Sequence, residues 1–286
     1  MENTPKKKKT IRQKIDRFID RLETVILVIF FLIGAYSFAD TYSVYSASQD
    51  KGLLKYKPST GEVLKPDLTD NVAWLTLDDS TVDYPIMQGV NNDDYLDKDP
   101  YGNYSLSGSI FLDYRCSSNF ADNYNLVYGH HMEKGLMFGS LDDWLEQDYF
   151  DSHRTGTITT ANRIYSLQVV AVMEERATVN ELFQPTDVDS NTTFEFIKQN
   201  AVIYDASVEL THVVALSTCK YPDTDDRTVI ICEMTLTYQG NNTELDQTKH
   251  QELQSSQTQV GTKIYSKVKP LGTKKDWIDW IADLFN

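Results

Sequence analysis

The chain has 286 residues, 41% hydrophobic, 24% charged and 12% aromatic, which fits one or two globular domains and excludes wholesale disorder and fibrous repeats. The formal charge of −15 splits into +4 over residues 1–24 and −19 over the remainder. An acidic body repels a phosphate backbone, which argues against a nucleic-acid partner.

Residues 1–23 form a basic segment, with Lys6 to Lys9 followed by Arg12, Lys14, Arg17 and Arg21. Thr24 to Ala39 is then free of charge for sixteen residues. A bilayer core needs about 20 apolar residues, and Leu22, Tyr42 and Val44 extend the run toward that length. The expectation is an uncleaved signal-anchor over 24–44. Ser37-Phe38-Ala39 fits a small-x-small cleavage site, but the basic segment before the run is long for a secretory signal. The positive-inside rule places the N-terminus in the cytoplasm and the body outside. Ile11, Ile15, Phe18, Ile19 and Leu22 share one helical face, which fits either an amphipathic helix on the inner leaflet or one longer continuous helix.

Residues 45–69 read as short helix and linker. From residue 70 to 238 the pattern becomes β. The runs at 71–77, 84–88, 107–112, 124–129, 155–160, 163–173, 211–218 and 227–237 are rich in β-branched and aromatic residues and mostly bounded by Gly, Pro, Asn or Asp. The fold class is therefore mainly β, with eight short strands closing or nearly closing a barrel. Helical inserts are expected around Leu136–Tyr149 and over Thr193–Ala201. Residues 239–262 are polar and read as a flexible linker. Residues 263–286 end in an amphipathic helix with Trp277, Ile278, Ile281, Leu284 and Phe285 on one face. It is expected either to dock on the barrel or to touch a membrane or partner.

Three cysteines, Cys116, Cys219 and Cys232, are too few and odd in number for a disulfide scaffold. Cys219 ends one β-run, His130 ends another, and Arg227 opens a third, eight residues after Cys219. A thiolate is the nucleophilic form of cysteine, and a neighbouring cation favours it. His130 can supply that charge and protonate a departing amine, while Arg227 can stabilise a thiolate or an oxyanion with several donors. Cys232, in the apolar run TVIICEM, reads as a buried hydrophobe. Cys116 follows Arg115 in a polar loop that allows exposure, but it has no histidine or strand context. His131 competes with His130 as the base. No cysteine or carboxylate stands at zinc-ligand spacing, and acidic pairs such as Asp78-Asp79 and Asp225-Asp226 read as solvated turns, so no metal or cofactor is expected.

LSTC at 216–219 followed by Arg227, with YGHHM at 128–132 upstream, resembles the sortase family. VDYPIMQG (82–89), GSIFLDYR (108–115), NLVYGHHM (125–132) and MFG (137–139) look like its class B members. The resemblance implies an eight-stranded barrel anchored in the membrane of a Gram-positive bacterium, acting as a cysteine transpeptidase. Such an enzyme cleaves a C-terminal sorting motif on a secreted protein through a thioester. It then passes the acyl group to an amine, on a cell-wall precursor or on a pilin lysine. By that resemblance Cys219 is the nucleophile, His130 the acid/base and Arg227 the arginine. Ser217 and Thr218 then lie near the oxyanion and substrate groove, and the insert Glu174–Glu209 is the loop over that groove. Lys220 has no assigned role. The polar linker and C-terminal helix fall outside the class B pattern, and no Asp-Pro-aromatic lid of the class C kind precedes the barrel. The rival readings are a surface cysteine hydrolase and an inactive surface binding module. A papain-type order is disfavoured because His130 precedes Cys219.

Overall fold

The computed structural model describes residues 11–48, 51–65, 67–219 and 225–240 in two units, divided at residue 50. The expected polar linker from 241 on, the expected C-terminal helix over 263–286 and Lys220 lie outside the described residues.

The first unit is a single helix, α1 (Ile11–Ser48), of 38 residues and therefore about 57 Å long. No proline or glycine interrupts it before Gly34. The basic amphipathic segment and the apolar run thus form one continuous helix rather than two. Its apolar side chains are exposed, with Phe30 at 68% and Phe31 at 74%. It is long and apolar enough to cross a membrane.

The second unit begins with a 3₁₀ turn (Lys51–Tyr56) and is otherwise built on β-strands. These are β1 (Asn71–Leu77), β2 (Asp83–Met87), β3 (Ile110–Leu112), β4 (Tyr124–Met132), β5 (Leu136–Met137), β6 (Thr155–Thr160), β7 (Arg163–Arg176), β8 (Ile203–Tyr204), β9 (Val213–Cys219) and β10 (Asp226–Gln239). Eight of them close a ring in the order β10-β9-β4-β3-β2-β1-β6-β7, and β7 pairs back onto β10. Each of the eight β-runs read from the sequence supplies one ring strand. β5 and β8 are added at the edges of β4 and β7. Closure removes free sheet edges, and the long antiparallel pairing of β7 with β10 is the seam that accomplishes it.

Side-chain alternation divides β4, β7, β9 and β10 between two cores. One core fills the barrel, with Leu75, Ile86, Ile110, Val127, Leu216 and Ile230. The other lies outside the wall, where Leu126, Ala215, Val229 and Ile231 pack against the insert after β7. That insert contains α3 (Asn180–Phe183) and α4 (Ser190–Asn200), with Asp189 accepting a bond from the Asn191 backbone N–H at the α4 N-cap.

The insert expected as helix around Leu136–Tyr149 is broken into three pieces: β5, a 3₁₀ turn (Gly139–Leu145) and α2 (Gln147–Ser152). Met137 holds a left-handed φ of 52°, which interrupts a helix at its start. The 3₁₀ turn plugs one end of the barrel with Leu141 and Trp144, both fully buried, and Trp144 Nε1 donates to the His153 carbonyl at 2.9 Å. Gly139 lets this turn approach β4: a Cβ there would lie 1.9 Å from the Met132 carbonyl oxygen.

A buried carboxylate joins the loops above the wall. Asp113, directly after β3, accepts from Arg115 Nε at 2.8 Å, Arg115 Nη2 at 2.7 Å, Asn92 Nδ2 at 2.9 Å and Tyr128 Oη at 3.2 Å. Arg115 reaches onward to the Phe183 carbonyl at 2.9 Å and to Gln184 Oε1. One ion pair thus ties the β2–β3 loop, β4 and the insert. Burial alone pushes the Asp113 carboxyl up, but the bonds from Arg115 and Asn92 outweigh it and hold the group below its usual range. Asp205 is held down to about 2 by the Ser207 hydroxyl and by Arg154.

Three measurements check this account. Gly139→Ala should lower stability by about 1–3 kcal/mol in urea unfolding, because β4 or the plug must move. An unchanged midpoint would show that the contact is relieved freely. Arg115→Met should lower stability by about 3–5 kcal/mol, because a buried carboxylate loses its partner. The stability that Asp113 and Asp205 contribute is complete above the ordinary carboxylate value of 3.8 and is lost as pH falls through their depressed values. The urea midpoint should therefore fall steeply between about pH 4 and 2, and less steeply in Asp205→Asn. A flat profile there would count against both carboxylates.

Candidate active site

The parallel pair of β4 and β9 brings two distant segments into alignment. Its register runs from Tyr124 opposite Val213 to His130 opposite Cys219, so both residues stand at the same end of the sheet. β10 flanks β9 on the other side, antiparallel, with Val229 opposite Ser217. Arg227 lies two residues beyond that point, in register with Glu175 of β7.

Strand period assigns faces. Tyr128 and Leu126 belong to the outer side of the wall, and His130 follows them. Ala215 and Val213 are outer, and positions 217 and 219 follow them. Val229 and Ile231 are outer, and Arg227 follows them. Positions 130, 219 and 227 therefore share one face on three adjacent strands. Gly129, Thr218 and Thr228 fall on the inner face.

Two of the three thiols are withdrawn from chemistry. Cys116, whose polar loop allows exposure, is instead buried at 1% in the same core cluster as Phe120 and Val127. Cys232 is fully buried, as its apolar run predicts. Burial pushes the Cys116 thiol far up and the Cys232 thiol up to about 12. Thiols held in this way stay protonated and inert. Cys219 is the remaining cysteine, and it alone has a histidine in register.

The two adjacent histidines have separate surroundings. His130 Nε2 donates to the Leu96 carbonyl at 2.6 Å, and the ring packs over Gly108, where a Cβ would lie 3.0 Å from His130 Cδ2. His131 Nε2 instead donates to Asp142 Oδ2 at 2.8 Å. A carbonyl only accepts, so His130 carries a proton on Nε2. Arg227 Nη1 donates to the Asp226 carbonyl at 3.0 Å. Ser217 and Thr218 are both fully buried. Ser217 Oγ donates to the Thr218 carbonyl at 3.2 Å, and Thr218 Oγ1 accepts from the Thr228 backbone N–H at 3.0 Å.

Sequence reasoning missed the supporting polar residues. Asp113 and Arg115 stand in the quoted stretch GSIFLDYR, and Asp142 in LDDWL, where nothing distinguishes it from Asp143. No cluster of His, Cys, Asp or Glu among the described residues is arranged to hold a metal ion.

A family profile described as the sortase domain matches residues 75–235. Sortase B of Listeria monocytogenes is 34% identical over 157 residues, covering 52% of this chain and 63% of that protein. Sortase B of Staphylococcus aureus is 26% identical over 243 residues, covering 77% of this chain and 98% of the relative. Among solved structures, a Streptococcus pyogenes class B sortase involved in pilus biogenesis is similar with a TM-score of 0.54 and 34% identity. It covers 66% of this chain and 100% of its own. A substrate complex of Staphylococcus aureus sortase B is similar with a TM-score of 0.55 and 25% identity, covering 70% of this chain and 93% of its own. With the closed eight-stranded ring and the aligned ends of β4, β9 and β10, the match over more than half its length places the chain in the sortase family, among relatives of class B.

Proposed function

We propose that the chain is a membrane-anchored cysteine transpeptidase that cleaves a C-terminal sorting motif on secreted proteins and transfers the acyl group to an amine. The observation that carries this reading is the register of His130 with Cys219 at the end of the parallel β4–β9 pair, with Arg227 on the same face of the next strand.

In the first half-reaction the Cys219 thiolate attacks the peptide carbonyl. A carbon–sulfur bond forms, the carbon–nitrogen bond breaks, and His130 gives the proton that the leaving amine requires. Arg227 offers its fixed positive charge to the oxyanion that develops on the way. In the second half-reaction an amine attacks the thioester. His130 takes the amine proton, the new amide forms, and the thiolate departs. The bond from His130 to the Leu96 carbonyl holds the ring while its other nitrogen carries the proton. Helix α1 supplies the anchor, with the N-terminus in the cytoplasm and the barrel outside. The acceptor amine belongs to a wall precursor or to a pilin lysine. Similarity to a sortase involved in pilus biogenesis supports the lysine.

The test is intact-mass analysis of the full chain in detergent micelles, incubated with sorting-signal peptides and with pilin or wall-type amines. We expect an acyl adduct on Cys219 that one acceptor class removes. Cys219→Ala should lose both the adduct and transfer; retained transfer would move the nucleophile elsewhere. Arg227→Lys should lower kcat by about a hundredfold with little change in KM, because a point charge does not replace the guanidinium fork. Unaltered turnover would remove Arg227 from the mechanism. Absence of an adduct from folded, reduced protein with every peptide would favour an inactive binding module.

A further inference from the structure

Each residue of the proposed triad has an inner-face neighbour, and these three neighbours belong to one hydrogen-bonded chain. His131 follows His130, Thr218 precedes Cys219, and Thr228 follows Arg227. His131 Nε2 donates to Asp142 Oδ2 at 2.8 Å, and Thr228 Oγ1 donates to Asp142 Oδ1 at 2.6 Å. The Thr228 backbone N–H donates to Thr218 Oγ1 at 3.0 Å. Asp142 therefore reaches all three strands from behind the wall, holding two with its own oxygens and the third through Thr228.

This chain begins where the backbone ladder stops. The pairing of β9 with β10 ends at Ser217 opposite Val229, short of both Cys219 and Arg227. Beyond that point the ladder no longer fixes the separation of the two strand tips. The bond from Thr228 to Thr218 continues the pairing one step further, made by a side chain in place of a carbonyl. Thr218 and Thr228 are fully buried, so water does not replace these bonds at low cost. Asp142 is itself held firmly. It lies on the 3₁₀ plug between buried Leu141 and Trp144, and the plug is tied to β4 by the Phe138 N–H donating to the His130 carbonyl at 3.0 Å.

We propose that Asp142 is a positioning residue that sets the mutual placement of His130, Cys219 and Arg227 from the opposite face of the barrel wall. It touches no substrate and acts through His131, Thr228 and Thr218. The inference rests on the triad reading above and adds the element that aligns it. Small displacements of reacting groups cost rate far more than they cost binding.

The experiment measures steady-state peptide cleavage by the full chain in detergent micelles, alongside urea unfolding midpoints. Asp142→Ala should lower kcat by about tenfold to a hundredfold and leave KM within about twofold. Asp142→Asn keeps an oxygen for Thr228 and an amide group for the His131 ring, and should recover most of the lost kcat. Thr228→Val removes the hydroxyl with little change in shape, so it tests the same link even if Asp142→Ala fails to fold. It should reproduce the kcat loss, and Thr228→Val combined with Asp142→Asn should be less damaging than the product of the two single effects. Glu233→Ala, which removes the acceptor of the Thr211 and His212 backbone N–H groups beside Val213 at the far end of β9, serves as the control for general loosening. Its kcat should match the wild type even where its midpoint falls.

An unchanged kcat in both Asp142→Ala and Thr228→Val overturns the proposal. So does a kcat loss in Glu233→Ala that matches theirs at an equal midpoint. Cleavage that is present in the wild type and absent in Cys219→Ala tests the triad reading separately, so either idea can fail without the other.

Discussion

Alternation of side chains across a strand is the constraint on which this site depends. Neighbouring residues on one strand face opposite sides of the wall, so each strand end contributes one residue outward and one inward. His130 and His131 divide in this way, as do the strand positions of Thr218 and Cys219 and those of Arg227 and Thr228. The outer positions continue the face of the wall that carries Leu126, Ala215 and Val229, and His130 there meets the β2–β3 loop. The inner set lies where hydrogen bonds are sheltered by the barrel core and the plug. A one-residue slip in any of the three strands would exchange the two sets. The length of the β7–β10 seam and the flush register of β4 with β9 make such a slip costly.

Outside the wall, Asp113 and Arg115 play a different part. Their ion pair gathers the β2–β3 loop, Tyr128 and the insert into one body. The same β2–β3 loop carries the Leu96 carbonyl that orients His130. Tyr128 packs against Phe111 with ring centroids 5.4 Å apart and stands two residues before His130. The setting of the histidine ring is thus linked to a buried charge pair that does not contact it.

The ring strands were legible because their apolar runs are short, β-branched and punctuated by turn residues. His130, Cys219 and Arg227 drew attention because each lies at the end of such a run, and the family motifs raised their weight. What the sequence concealed were polar residues whose meaning depends on contacts far along the chain. Asp142 and Asp143 are equivalent on paper; only the turn of the plug directs one to His131 and Thr228 and leaves the other exposed. The polar neighbours of Cys116 in sequence allow exposure, yet it is buried in the core cluster that holds Phe120 and Val127. The insert after β4 looked helical by composition, and the left-handed backbone at Met137 with the close approach at Gly139 break it into shorter pieces.

The parallel pairing of β4 with β9 also has a kinetic meaning. Parallel neighbours cannot be joined by a hairpin, and here the connection between them passes through β5, β6, β7 and β8 with their helices. Contacts so distant in sequence form slowly, because a large loop must be closed before they yield any stabilisation. A chain emerging N-terminus first will have exposed His130 long before the segment that carries Cys219 arrives. Residues 130 and 219 then come into register only as the barrel closes, so their alignment reports that folding is complete.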